Sequence, residues 1–485
     1  MKKEFGILCN VSSLLSEYGI GDFGKSAFEF VDFLAENKVN IWQVLPLTET
    51  NEYNCPYGSM SYFAFDTMYV SPDDLIKRGL IKEEDLRILK NIPKRDKVNY
   101  QFVKKEKRKL LEIAFNNIDE KHLMKLKKYF GLNENKCVCY AYYKVLLEVY
   151  KTADFRTIPK ELWNVESVLG QEFLNKNITE VQKYVFWQML LEEEWQSVLK
   201  YAKAKGIKIL GDMPIYPNPN SFDVFFNPKC FLLDKESLTP LVYGGVPADD
   251  FCDNGQNWGG CVYDWKYLNA TNYEFFIEKI GHLLRHYDVL RLDHYLGYVE
   301  HYEIDAKNQS RGKWVKGGGK DLFTALQKKI SLTKIVVEDI GIYKEEAEIV
   351  KQKFNLKGMR ILQFANCENS SCLPQNVDKN CIYYLGTHDN DTFIGFLSAL
   401  NKEQRSAFLK LLDIDECENE EILIKCVQKM IKSKAKTIIL QAQDILMQGS
   451  SSRMNIPGKA DGCWEYCLPQ DYKQKAKIFF EKVKF

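Results

Sequence analysis

The chain has 485 residues, of which 45% are hydrophobic and 27% charged, and its 67 Lys and Arg nearly balance its 66 Asp and Glu. Proteins that bind nucleic acids or membrane surfaces need a clustered excess of positive charge, so this composition argues against both partners and favours a neutral ligand. The length allows about three domains or one large α/β barrel expanded by insertions.

The N-terminal residues and the cysteines indicate a reducing compartment. Residues 1–10 contain two lysines and only a short apolar run, which fits neither a secretion signal nor a membrane anchor, so we expect a cytoplasmic protein. The fourteen cysteines are then expected to be free thiols that pack as small apolar side chains. The close pairs Cys137/Cys139 and Cys463/Cys467 do not repeat as CxxC units and have no His nearby, so no metal site is predicted.

Short apolar runs rich in β-branched residues alternate along the chain with longer amphipathic stretches. This alternation is typical of βα units around a parallel sheet. Eight strands are predicted, at residues 5–10, 40–47, 207–215, 289–293, 335–339, 359–364, 382–387 and 437–441. Eight such units with polar residues at the strand ends predict an α/β fold of the (β/α)8 TIM barrel type, and a doubly wound sheet is the main alternative.

Two stretches are too long for a single βα connection. Residues 48–206 are predicted to form an inserted, mainly helical subdomain, because several segments place Lys and Glu on one helix face and apolar side chains on the other. The basic run at residues 104–109 is interrupted by Glu106 and is predicted to be a solvated helix face rather than a phosphate-binding patch. Residues 217–265 are rich in Asn, Asp, Gly and Pro and are predicted to be an inserted loop subdomain at the functional face of the barrel.

Acidic residues close three of the predicted strands in the second half of the chain. Asp293, Glu338 and Asp389 each follow an apolar run, and each alone has an ordinary reading as a helix cap or turn former. Together they are expected to converge, because the carboxyl ends of barrel strands meet on one face. Cleavage of a glycosidic bond with retention needs two such carboxyl groups roughly 5 to 5.5 Å apart, one as the acid and one as the nucleophile.

Neighbouring polar residues add to this set. Arg291 lies two residues before Asp293 and therefore on the same strand face, where its guanidinium is expected to keep that carboxylate ionised and its pKa low. His388 precedes Asp389 and is read equally as a sugar-hydroxyl donor or as a structural residue. His294 is expected to be structural, because it points away from Asp293 if the strand continues.

These motifs resemble the catalytic regions of the 4-α-glucanotransferases, also called amylomaltases, of glycoside hydrolase family 77. The resemblance rests on GDMPIY (211–216), RLDHYLGY (291–298), VEDIG (337–341) and GTHDNDT (386–392), supported by YGIGDFG (18–24), GVPADDF (245–251), GQNWG (255–259), WVKGGG (314–319) and RMNIPG (453–458). The matches keep the family's order along nearly the whole chain. The resemblance implies one catalytic (β/α)8 barrel domain over residues 1–485, with an active-site lid within 217–265 and no separate C-terminal β-domain.

The resemblance also assigns roles to individual residues. It implies that Asp293 is the nucleophile, Glu338 the acid/base and Asp389 the carboxylate that stabilises the transition state. Substrate-binding positions implied in the same way are Arg291, His388, Asp212, Tyr57, Asp249, Gln256, Trp258, Asn455 and Pro457. The chain departs from the family where a Tyr often follows the lid aspartate and here is Asp250, and in the residues that follow Trp258.

The predicted function is retaining transfer of α-1,4-glucan segments to the 4-hydroxyl of an acceptor glucan or glucose. The expected partners are maltooligosaccharides and α-1,4-glucans, without a cofactor, a metal, a nucleic acid or a membrane. Two alternatives remain: an α-1,4-glucan hydrolase that uses the same carboxylates, since a triad does not itself select sugar over water, and a non-catalytic glucan-binding protein. Retention of all three carboxylates with Arg291 and His388 argues against the second alternative.

Overall fold

The structure, a computed structural model, describes residues 3–90, 97–132, 136–247 and 255–483. Twelve strands are present in these residues: β1 Glu4–Leu8, β2 Ile41–Gln43, β3 Lys208–Met213, β4 Val242–Val246, β5 Gln256–Cys261, β6 Val289–Leu292, β7 Glu300–Asp305, β8 Gly312–Lys316, β9 Ile335–Val337, β10 Gly358–Ile361, β11 Cys381–Tyr384 and β12 Thr437–Gln441.

Eight parallel strands form the central barrel. Their order is β10-β11-β12-β1-β2-β3-β6-β9, and the parallel bridge between Val336 and Lys357 joins the two ends of the sheet. All eight coincide with predicted strands, which confirms the (β/α)8 barrel. β2 and β12 are buried at every position, as expected for parallel strands that are covered on both faces.

Nineteen α-helices lie in the described residues. They are α1 Lys25–Glu36, α2 Pro72–Lys77, α3 Arg87–Lys90, α4 Tyr100–Asn116, α5 Glu120–Leu132, α6 Lys136–Val149, α7 Val168–Lys176, α8 Ile178–Ala204, α9 Phe222–Phe226, α10 Trp265–Ala270, α11 Glu274–Leu283, α12 Leu296–Val299, α13 Gly319–Gln327, α14 Glu345–Lys353, α15 Phe393–Ala399, α16 Lys402–Leu412, α17 Asn419–Lys432, α18 Ala442–Ile445 and α19 Tyr472–Val483. None of the described helices is both long enough and apolar enough to cross a bilayer.

The stretch between β2 and β3 contains seven of these helices, α2 to α8. The longest, α8, has 27 residues and is buried on several sides, because it packs against α1, α4, α5 and α6 as well as β3. Trp195 on α8 is fully buried, and its indole N–H donates to the carbonyl of His286 at 3.0 Å. This helix therefore fastens the inserted helices to the barrel wall.

The basic run at residues 104–109 is not a solvated helix face as a whole. Lys107 on α4 is 1% exposed, and its ammonium lies 3.4 Å from the Asp22 carboxylate and donates to the carbonyl of Val70 at 2.8 Å. Lys104 is half-buried and donates to the Thr50 hydroxyl at 2.7 Å. The prediction was wrong for these two residues, because charge spacing does not show which side of α4 faces the barrel.

A second, antiparallel sheet lies in the loops after β3 and β6. Its strand order is β5-β4-β7-β8, and β4 pairs with both β5 and β7. The region 217–265 was predicted to be mainly loop, but it contains α9, β4 and β5. Gly244 and Gly245 explain the missed strand: a Cβ at either position would collide with the Tyr216 ring or the Gln256 carbonyl, so only glycine permits this close approach.

Two further predictions concern the end of the chain and the cysteines. Residues 442–483, after β12, form the helices α18 and α19 with connecting turns rather than a β-sheet, as predicted. Apart from Cys467, the cysteines in the described residues are free thiols. No group of three or more His, Cys, Asp or Glu side chains within the described ranges is arranged to hold a metal ion.

Replacing Lys107 by Met should destabilise the fold by about 3 to 5 kcal/mol, because Asp22 would remain buried without its counter-charge. The double variant Lys107→Met/Asp22→Asn should recover much of that loss, since no unpaired charge is left. Urea unfolding followed by circular dichroism measures both. If K107M were as stable as the parent protein, the buried ion pair would not contribute as described.

Candidate active site

Three partly exposed carboxylates lie together at the carboxyl ends of the barrel strands. Asp293 follows β6, Glu338 follows β9, and Asp389 follows β11 by five residues. Their side chains are 20%, 21% and 40% exposed, whereas most of the polar side chains around them are fully buried. The three carboxylates therefore lie together, partly exposed, at one end of the barrel, as the sequence predicted.

Arg291 on β6 connects the acidic residues. It is 2% exposed, and its Nη1 donates to both Asp212 oxygens at 2.7 and 2.8 Å and to Asp293 Oδ1 at 3.1 Å, while Nη2 lies 3.0 Å from Glu338 Oε2. Asp212 and Arg291 are direct neighbours in the register of β3 and β6. Their strand positions therefore place this guanidinium among three carboxylates.

Glu338 is held by a second donor from the turn after β6. The backbone N–H of His294 donates to Glu338 Oε2 at 2.6 Å, and His294 has a left-handed φ of 45°. The His294 ring lies edge-on to Trp258 with centroids 4.7 Å apart, and burial lowers its pKa to about 4, so the ring is neutral near pH 7. Its backbone positions Glu338, a role that the sequence analysis did not foresee.

The pKa of the Asp293 carboxyl differs from the value range predicted from the sequence. Burial raises its pKa well above the usual range despite Arg291, and repulsion from Glu338 and Asp212 adds to the effect. The low pKa predicted from Arg291 alone was wrong, because the one guanidinium is shared with Asp212 and Glu338. The Asp293 carboxyl therefore binds its proton more tightly than a free aspartate does.

The pKa of the Asp389 carboxyl is shifted in the opposite direction, below its usual range. Burial alone would raise its pKa, but His388, Asn455 and Arg291 together hold it below the usual range. Asn455 Nδ2 donates to Asp389 Oδ1 at 2.6 Å, and His388 Nε2 lies 3.2 Å from Oδ2. Arg453 donates to the Asp389 carbonyl at 2.7 Å. Asp389 is therefore ionised near neutral pH and fixed in orientation.

An aromatic wall flanks the carboxylates. The Tyr57 hydroxyl donates to Asp212 Oδ2 at 2.7 Å, and its ring stacks on His388 with centroids 5.1 Å apart and an interplanar angle of 13°. Trp464 lies behind both rings, 5.8 Å from Tyr57 and 6.0 Å from His388. The sequence analysis named Tyr57 and His388 but missed Trp464 and Arg453, although Arg453 lies within the RMNIPG motif.

The remaining predicted residues lie on the second sheet and in the C-terminal loop. Gln256 and Trp258 are on β5, where the Trp258 indole N–H donates to Gln256 Oε1 at 3.2 Å and the ring is 39% exposed. Pro457 is exposed, two residues beyond Asn455. Asp249 and its neighbour Asp250, and with them the predicted lid contact, lie outside the described residues.

Known proteins match this chain over nearly its whole length. A family model described as 4-alpha-glucanotransferase matches residues 9–471. The chain is 36% identical over 486 aligned residues to the 4-alpha-glucanotransferase of Aquifex aeolicus (strain VF5), with 99% of this chain and 98% of that one covered. It is 35% identical over 467 residues to the enzyme of the same name from Clostridium butyricum, with 94% of each covered.

Solved structures also match nearly the whole length of this chain. The amylomaltase from Streptococcus agalactiae, solved in complex with acarbose, superposes with a TM-score of 0.94 at 30% identity, and the match covers 100% of this chain and 99% of that one. The amylomaltase from Corynebacterium glutamicum superposes with a TM-score of 0.81 at 15% identity, covering 99% of this chain and 74% of that one, which shows the shared fold.

Replacing Asn455 by Ala should lower kcat/KM on maltotriose about 10- to 100-fold, the usual loss for a hydrogen bond to a charged group. Initial rates on maltotriose at neutral pH measure the effect. Asn175→Ala, an exposed residue on α7, is the matched control, and an unchanged kcat/KM in N455A would contradict the assignment.

Proposed function

The chain belongs to the 4-alpha-glucanotransferase family, and from that premise we propose how its carboxylates carry out the transfer. As a 4-α-glucanotransferase it moves a segment of an α-1,4-glucan from a donor to an acceptor. The observation that carries the proposal is the shared guanidinium of Arg291, which lies within 3.1 Å of Asp293 and within 3.0 Å of Glu338. Two carboxyl groups held on one cation serve as nucleophile and acid/base.

In the first step Asp293 attacks the anomeric carbon of the donor. A bond forms between its carboxylate oxygen and that carbon, while the bond to the glycosidic oxygen breaks and Glu338 gives its proton to the departing oxygen. Arg291 and His294 both contact Glu338 at Oε2, so we assign Oε1 to face the glycosidic oxygen.

In the second step the acceptor replaces the departed chain. Glu338, now ionised, takes the proton of the acceptor 4-hydroxyl, whose oxygen attacks the anomeric carbon as Asp293 leaves as a carboxylate. Two inversions at one carbon retain the α configuration. Both steps balance in atoms and charge without a metal ion or a cofactor.

The buried and ionised groups have separate roles in this proposal. Asp212 neutralises Arg291 from below, which leaves the guanidinium positioned without a net excess of positive charge. Asp389 is ionised and accepts hydrogen bonds from the sugar hydroxyls, whereas His388 donates a hydrogen bond to them. Asp389 also stabilises the oxocarbenium-like transition state. Tyr57 packs beside them as part of the wall that receives the cleaved glucose.

Acceptor and donor sugars are proposed to bind on opposite sides of the carboxylates. Trp258 offers an exposed indole face next to Gln256, and Asp249 is proposed to join them on the acceptor side. Asn455 and Pro457 are proposed to line the donor side. The proposed substrates are maltooligosaccharides and α-1,4-glucans, and the free thiols support the proposed cytoplasmic location.

Incubation with maltotriose tests transfer against hydrolysis. Transfer of a maltosyl group to a second maltotriose yields glucose and a five-unit glucan, so a ladder of longer products should form while the number of reducing ends stays constant. Chromatography with a reducing-end assay measures both quantities. Rising reducing ends without longer products would show hydrolysis instead.

Replacing each of the two proposed catalytic residues should reduce the activity on different donors to different extents. Asp293→Asn should lose about 10⁴-fold or more in kcat on every donor, because no covalent intermediate forms. Glu338→Gln should lose about 10² to 10⁴-fold on maltotriose but much less in the first step with a maltosyl fluoride donor, whose leaving group needs no proton.

The comparison uses fluoride release and glucan products as separate readouts. Asp413→Asn, at a fully exposed carboxylate after α16, is the matched control and should leave both unchanged. Equal losses of E338Q on both donors would contradict its role as the acid.

A further inference from the structure

A small cavity lies beside His388. It is formed where β1 and β12 end, among apolar residues such as Leu8 and Met454. Its polar lining includes the four residues Asn10, Ser13, His388 and Gln441. The four polar residues are at most 3% exposed. The cavity has room for about one water molecule.

Each of the four side chains brings one unpaired atom to this place. Asn10 Oδ1, Ser13 Oγ, His388 Nδ1 and Gln441 Nε2 are buried and have no hydrogen-bond partner within the described residues. A buried polar atom without a hydrogen bond lowers the free energy of unfolding by about 1 to 3 kcal/mol. Four such atoms beside one cavity therefore indicate a hydrogen-bonding partner that they share.

We propose that this cavity is a binding site for one ordered water molecule, and that Asn10, Ser13 and Gln441 act through it as positioning residues for His388. A buried water makes two to four hydrogen bonds, which matches the four atoms available. Gln441 Nε2 donates to the water and Asn10 Oδ1 accepts from it. Asn10 is oriented for this, because its Nδ2 already donates to Ser12 Oγ at 2.8 Å.

The water decides which nitrogen of His388 carries the proton. Asp389 is ionised and only accepts, so His388 Nε2, 3.2 Å from Asp389 Oδ2, must carry a hydrogen. In the neutral ring Nδ1 is then bare and accepts the second hydrogen of the water, while the Ser13 hydroxyl donates to the remaining lone pair. The cavity therefore stabilises the neutral tautomer that carries its N–H at Nε2.

This inference rests on the proposed role of His388 at the sugar hydroxyls, but its main test does not depend on turnover. The chain has six histidines, so selective ¹⁵N-histidine labelling gives a spectrum in which His388 is identified by its loss in His388→Phe. The ¹⁵N shifts should show a protonated Nε2 and a bare Nδ1 at neutral pH. A protonated Nδ1 would overturn the proposal.

Gln441→Leu removes a donor to the water while keeping the side chain's size. We expect His388 to become a mixture of tautomers and kcat on maltotriose to fall about tenfold, with a smaller change in KM. Ser13→Ala should have the same effect to a lesser degree, and it replaces Q441L if that variant does not fold. Gln474→Leu, exposed on α19, is the matched control.

The readouts separate the two proposals. An unchanged His388 spectrum in both Q441L and S13A would refute the water site even if turnover fell. A parent protein that shows the expected tautomer but forms no longer glucans from maltotriose would refute the proposed function and leave the water site standing.

Discussion

The active site depends on one buried cation shared among carboxylates. Arg291 is almost completely enclosed and contacts Asp212, Asp293 and Glu338 at once. A buried guanidinium without counter-charges would be strongly destabilising, and so would the carboxylates without it. Burial, together with repulsion from carboxylates that share this one positive charge, raises the pKa of Asp293 above its usual range.

The barrel strands hold these charged side chains at fixed distances from one another. Arg291 and Asp212 are neighbours in the register of β6 and β3, so their separation is set by the strand spacing and not by flexible loops. The same geometry brings the ends of β6, β9 and β11 to one face, where the proposed catalytic carboxylates lie. Asp212 and Arg291 beneath them are buried, whereas Asp293, Glu338 and Asp389 are partly exposed.

The pKa and the orientation of Asp389 depend on other contacts. It lies beyond the end of β11, in a turn that contacts two segments distant in sequence: Asn455 and Arg453 of the C-terminal loop bind Asp389, and the Tyr57 ring stacks on His388. His388, Asn455 and Arg291 lower the pKa of Asp389 and keep it ionised. Two neighbouring carboxyl environments thus have pKa values shifted in opposite directions, which suits two chemical roles.

The sequence by itself determined the strand pattern of the barrel and the three strand-end carboxylates, because apolar periodicity and strand-end polarity are local properties. Its motifs also located Arg291, Tyr57 and His388. It did not reveal that Lys107 is buried, that Gly244 and Gly245 belong to a second sheet, or that the His294 backbone and Trp464 support the site. Only the tertiary structure decided these, and the raised pKa of Asp293, because each depends on which distant segments share a buried space and a limited charge.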